Sequence, residues 1–98
     1  MNRTLLKPDS QQDVLSAVAF YEGREAGLGK RFRTSLRSAI QLIKNHPFGL
    51  PEVEPGVRWV LVPDFPYKVY FLPDESPIPI IAVLHASRHP DGWRPRRS

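Results

Sequence analysis

The stretch Leu28-Gly-Lys-Arg-Phe-Arg-Thr-Ser-Leu-Arg-Ser-Ala-Ile-Gln-Leu-Ile-Lys-Asn45, followed by His46-Pro47, decides the architecture. Leu28, Phe32, Leu36, Ala39, Ile40 and Ile43 recur at steps of four and three, which builds one apolar stripe on a helix. Lys30, Arg31, Arg33, Arg37 and Lys44 fall mostly off that stripe, with no acid between them. Pro47 forbids continuation, so the helix ends at Asn45-His46. A helix with one greasy side needs a second layer to cover it.

Upstream, Val14, Leu15, Val18 and Tyr21 also follow helical spacing, with Ala17 and Phe20 beside them. Asp9 or Ser10 is the expected N-cap, and Ser10 with Asp13 forms a capping-box-like pair. This helix fades between Gly23 and Gly27, so the two helices form a hairpin with a tight glycine-bearing link. Before it, Arg3 to Lys7 is a short extended candidate that Pro8 stops.

Downstream, residues 46–56 (HPFGLPEVEPG) hold three prolines and two glycines and read as an irregular loop. Three β-rich runs come next, Val57 to Val62, Tyr67 to Leu72 and Ile78 to Ala86, joined by two proline-bounded turns. Pro79 lacks a donor, so pairing of the last run is expected from Ile80. Ile80-Ile-Ala-Val-Leu84 is nearly all apolar, as suits a central strand covered on both faces. The order strand, helix, helix, strand, strand, strand specifies an α+β domain, with residues 3–7 as an edge strand beside the last one. Periodicity does not give the direction of that first strand.

Ninety-eight residues make one domain, here residues 1–98, with the basic tail 94–98 expected to be flexible. The absence of cysteine excludes a disulfide scaffold, cysteine-ligated zinc and thiol catalysis. No metal and no cofactor is expected. No apolar run approaches the roughly 18–20 residues of a membrane span, and no secretory stretch opens the chain, so a soluble, cytoplasmic protein with no membrane partner is the expectation. The net charge of +4 is unevenly spread: residues 28–51 carry +5 and residues 80–98 carry +3, flanking an acidic middle. That asymmetry favours a polyanion or an acidic protein partner, or serves only solubility.

Read in order, Asp13 with Phe20-Tyr21-Glu22, Gly27-Leu-Gly29 with Phe32, His46-Pro47, Arg58, Phe65-Pro-Tyr67, and Val83-Leu-His85 with Arg88 and Trp93 follow one pattern across residues 3 to 93. The pattern resembles the RelE/ParE superfamily of type II toxin–antitoxin toxins, and more closely its ParE-like, plasmid-stabilisation branch. The resemblance implies a β-α-α-β-β-β fold, a helical hairpin packed on a small, mainly antiparallel sheet. It implies a growth-inhibiting toxin silenced by a cognate antitoxin, whose disordered, acidic C-terminal segment folds on its surface. RelE-like members cleave mRNA in the ribosomal decoding site, whereas ParE-like members poison DNA gyrase.

Metal-free RNA cleavage needs a base, an acid and cations around the phosphorane. The candidates are Arg58, His85 and Arg88, with Glu52 or Glu54 as a possible base. Each has a plainer reading: His85 as a strand-end hydrogen-bonder, Arg58 paired with Glu52, Glu54 or the C-terminal carboxylate, Arg88 as part of a solvated basic tail. RelE-like nucleases carry extra lysines before the second strand and a tyrosine near the C-terminus; this chain has Glu52, Glu54 and Trp93 instead. A gyrase-directed toxin is therefore the first reading and a ribosome-dependent mRNA interferase the alternative. For the first, Arg88, Trp93 and Arg94 are the expected target contacts. For the antitoxin, Leu28, Lys30, Arg31, Phe32, Arg33, Leu36 and Arg37 are the expected surface. Both schemes expect Arg58, His85 and Trp93 to converge at one sheet edge.

Overall fold

The computed structural model describes residues 2–88 and 90–97. Strand β1 (Thr4–Leu6) leads into helix α1 (Pro8–Arg24). Pro8 sits in the first helical turn, where its missing N–H is no loss, so α1 starts there with Lys7 as N-cap. The expected cap at Asp9 or Ser10 does not form, because both capping-box residues reach across to the sheet. The buried Ser10 hydroxyl donates to Ile80 O at 2.7 Å, and Asp13 Oδ2 accepts the Val83 amide at 2.9 Å.

Helix α2 (Leu28–Asn45) follows after a link that turns at Gly27, whose φ of 90° belongs to the left-handed region that glycine adopts freely. Gly29 is needed for another reason: a Cβ there would lie 2.9 Å from Val18 O, so the helices touch backbone to backbone. The first turn of α2 carries no acid of its own. Glu22, on the preceding helix, supplies one, its carboxylate accepting the Gly27 and Gly29 amides at 3.0 Å.

Strands β2 (Glu52–Glu54), β3 (Val57–Leu61), β4 (Tyr67–Phe71) and β5 (Ile78–His85) complete a five-stranded sheet of order β1-β5-β4-β3-β2. β1 runs parallel to β5 and every other pairing is antiparallel. The central position of the apolar run is as expected, since β5 is buried from Ile78 to Leu84. Two details depart from expectation. The segment read as irregular contributes β2, an edge strand whose flanking Pro51 and Pro55 cost no ladder bond. Pairing of β5 starts at Ile78, whose amide donates to Arg3 O, because Pro79 turns its main chain to the other side, where its carbonyl accepts Leu72 N.

One sheet face meets the helices: Phe32, Leu36, Ala39 and Ile43 of α2, with Val14 and Ala17 of α1, cover Val60, Val69, Phe71, Ile80 and Val83. Leu15 and Phe20 lie outside this core, at 53% and 43% exposure. The opposite face carries Val57, Tyr70, Leu72, Ile81 and Leu84, and Trp93 folds back onto it. The tail expected to be loose is thus bound as far as Arg97. Arg94–Arg96 forms a 3-10 turn, and its guanidiniums, with that of Arg97, meet acids on two elements, β2 and α1.

Candidate functional site

The register separates the residues on which RNA cleavage would depend. Arg58 on β3 stands opposite Phe71, and His85 on β5 opposite Tyr67, four residues apart along β4 and on either side of it. At about 3.4 Å per residue and 4.8 Å per strand spacing, their backbones lie about 16 Å apart. Arg58 is held at its own end: its guanidinium donates to Leu50 O at 2.6 Å, stands 3.7 Å from Glu52 and lies over the Phe48 ring. Glu54 binds Arg94 and Arg97 instead. The plainer reading of Arg58, a structural pair with Glu52, is the one observed.

His85 and Arg88 do come together, at the turn after β5. Nδ1 of His85 accepts the Ser87 amide at 3.2 Å and the Arg88 amide at 3.3 Å, so its ring proton sits on Nε2. Taking up a proton at Nε2 would need the other tautomer, at the expense of both amide bonds. The ring stands edge-on to Tyr67 at 5.5 Å. Around it, Asp13, Ser16, Ala17, Phe20, Tyr67, Val83, Leu84, His85 and Arg88 line a cleft of about 310 Å3.

Trp93 is elsewhere and inaccessible. It is 0% exposed, stacks on Tyr70 at 5.8 Å and donates Nε1–H to Pro90 O. As a target contact its side chain is unavailable, because a large apolar ring gains more from folding onto the bare sheet face than from water. Arg94 stays 58% exposed while pairing with Glu54 and Asp91. The three groups expected at one edge therefore occupy two sheet faces and opposite strand ends.

Arg96 has a role that spacing did not signal. Its guanidinium grips Asp13 through two bonds (2.5 and 3.1 Å) and donates to Ile81 O at 3.2 Å. Since β1 pairs β5 only as far as Ile80, Ile81 O and Val83 N belong to an edge that no strand among the described residues covers. The Asp13–Arg96 pair stands in for the missing strand, one side chain accepting and the other donating. Asp13 holds the Arg96 guanidinium above its ordinary range, chiefly through this hydrogen bond.

The surface expected to bind an antitoxin divides in two. Phe32 and Leu36 are core residues, 0% and 6% exposed, and Leu28 is half-buried. Lys30, Arg31, Arg33 and Arg37 are exposed, and every ion pair among the described residues uses Arg58, Arg94, Arg96 or Arg97 instead. Beside them runs a groove of about 300 Å3 between β1, α1 and α2, lined by Leu6, Val14, Leu36 and Ile40 and rimmed by Arg33, Arg37 and Lys44. Leu6, Val14, Ile40 and Lys44 were not among the expected contacts, because only the packing of β1 against the hairpin brings them together. No helix among the described residues is long and apolar enough to cross a membrane.

No protein-family model matches the chain, and no curated protein matches it. Solved structures do. A chain from a chromosomal ParDE TA system from P. aeruginosa is similar at 16% identity and a TM-score of 0.69, over 87% of this chain and 96% of that one. At that identity the likeness is one of fold, and the fold is the one that the RelE/ParE resemblance implied.

Proposed function

We propose that this chain is the toxin of a type II toxin–antitoxin pair, ParE-like in action, with DNA gyrase as its target and an antitoxin that silences it by binding. The observation that carries the reading is the fold shared over nearly the whole length of both chains with a member of a ParDE TA system. Gyrase is preferred to mRNA because Arg58 is spent on Leu50 O and Glu52 at the far end of the sheet from His85. A phosphorane needs its cation and its proton donor within contact distance of one phosphate.

Arg88 and Arg94 are the exposed cations proposed for the target surface. The antitoxin segment is proposed to lie along the α2 groove, apolar side on Leu6, Val14 and Ile40, carboxylates toward Arg33, Arg37 and Lys44. The purified chain should inhibit gyrase supercoiling or trap cleaved DNA, and co-expression with its antitoxin, sought in the neighbouring open reading frame, should restore growth. No effect in either gyrase assay, together with codon-phased mRNA cuts lost in His85→Ala, would replace this reading with the ribosome-dependent nuclease.

A further inference from the structure

The sheet face turned away from the helices is covered only in part. Trp93 seals it over Tyr70, whereas Trp59, which stands opposite Tyr70 on β3, stays half-buried. Residues directly opposite each other, and residues two apart along a strand, share a face. Leu61 and Lys68, themselves opposite each other, therefore join Trp59 and Tyr70 on this side, and Leu84 flanks Lys68 from β5. Leu61 is left 49% exposed. Arg94 lies over the Trp93 ring at 4.7 Å, so this tail cation borders the same face.

Lys68 sets the chemistry of the bare part. It sits half-buried on β4, the middle strand, with leucines opposite it on both neighbouring strands. Its ammonium stands 4.3 Å from the centroid of Trp59, and no acid pairs with it among the described residues. The ring face offsets only part of what a covered ammonium loses in hydration. A purely apolar partner closing over this surface would strand the charge, at a heavy cost. A carboxylate set against Lys68 removes that cost, and apolar groups beside it would meet Leu61 and Trp59. RNA fits less well, because its affinity comes largely from several phosphate contacts and here one unpaired cation stands among leucines. We propose that this part of the outer face docks the target protein through an acidic, apolar segment, its carboxylate on Lys68 and its apolar side chains on Leu61 and Trp59. The inference rests on the toxin reading and adds the contact surface to it.

The test measures inhibition of gyrase supercoiling by the full chain and its variants, with thermal melts to check that each variant is folded. Lys68→Glu should raise the half-inhibitory concentration at least about tenfold, since carboxylate then meets carboxylate, and Lys68→Arg should stay near the parent. Leu61→Glu should raise it about tenfold, through a charge set into the apolar contact. Leu15→Glu, the same change at an α1 leucine of 53% exposure, should leave it unchanged. Inhibition at the parent's level by folded Lys68→Glu and Leu61→Glu would overturn the docking surface and leave the toxin reading standing. No inhibition by the parent itself would overturn that reading, and the docking surface with it. A labelled oligouridylate that binds the parent and is lost in Lys68→Glu, with inhibition intact, would assign the face to RNA and overturn the proposal.

Discussion

At the scale of single residues, Asp13 connects two halves of the chain. Its carboxylate accepts Val83 N–H and binds Arg96, and its side chain is only 11% exposed. Truncating it strands a donor on β5 and a guanidinium in a half-buried place. Asp13→Ala should therefore cost about 2–3 kcal/mol, and Asp13→Asn less, since an amide oxygen still accepts Val83 N–H. Urea denaturation of both variants and of Arg96→Ala reads this, and equal losses in Asp13→Asn and Asp13→Ala would deny the acceptor role. Tyr70 gives a pH signature. Burial, then Asp91, pushes its phenol above the ordinary value, so the folded state holds the proton more tightly than the unfolded one. Its contribution is complete below the ordinary phenol pKa of about 10 and is lost as pH rises through the higher folded value. Alkaline melts should show that loss, and Tyr70→Phe should reduce it; a profile unchanged in the variant would remove Tyr70 as its source.

At the scale of elements, the C-terminal segment behaves as a layer of the domain. Trp93 covers Tyr70 and its neighbours on the face that the helices leave bare, and Arg94, Arg96 and Arg97 fasten it to β2 and α1. Trp93→Ala should cost about 3–5 kcal/mol, the range for an aromatic core truncation. Growth-arrest tests of that variant would therefore report folding before target contact, and a melt within a degree or two of the parent would contradict the packing. The α2 stripe was legible because each of its contacts repeats within one element: Phe32, Leu36, Ala39 and Ile43 are all buried. The central place of β5 was legible for a similar reason, its run of apolar residues. Trp93 was ambiguous in a basic, proline-rich tail, since its burial depends on a sheet face formed by residues 57–84. The strand at Glu52–Glu54 was hidden by its flanking prolines, and the Asp13–Arg96 contact by the sequence separation of 83 between its partners. The candidate site was less legible than the fold: neighbouring His85 and Arg88 stay together, whereas Arg58 is set apart by strand register.

At the scale of the whole molecule, charge is distributed by function. The arginines of residues 58 and 94–97 are neutralised internally by Glu52, Glu54, Asp9, Asp13 and Asp91. Among the described residues the cations of α2 have no such acid, and Arg33, Arg37 and Lys44 border an apolar groove. A surface cation without a partner contributes little to stability, so Arg33→Ala with Arg37→Ala should shift the folding free energy by less than about 0.5 kcal/mol. Against an acidic antitoxin segment the same pair should matter far more. The loss should fall mainly on association rate, because unpaired charges steer an oppositely charged chain before contact. Raising salt from about 50 to about 500 mM shortens the screening length from roughly 14 Å to roughly 4 Å, so affinity should drop steeply for the parent and weakly for the double variant. Ile40→Ala should instead raise dissociation at every salt concentration, since it removes apolar contact alone. Surface plasmon resonance on the three proteins separates these outcomes. Salt-independent binding by the parent would mean that the antitoxin docks away from the α2 cations, on the sheet edge or the apolar floor alone.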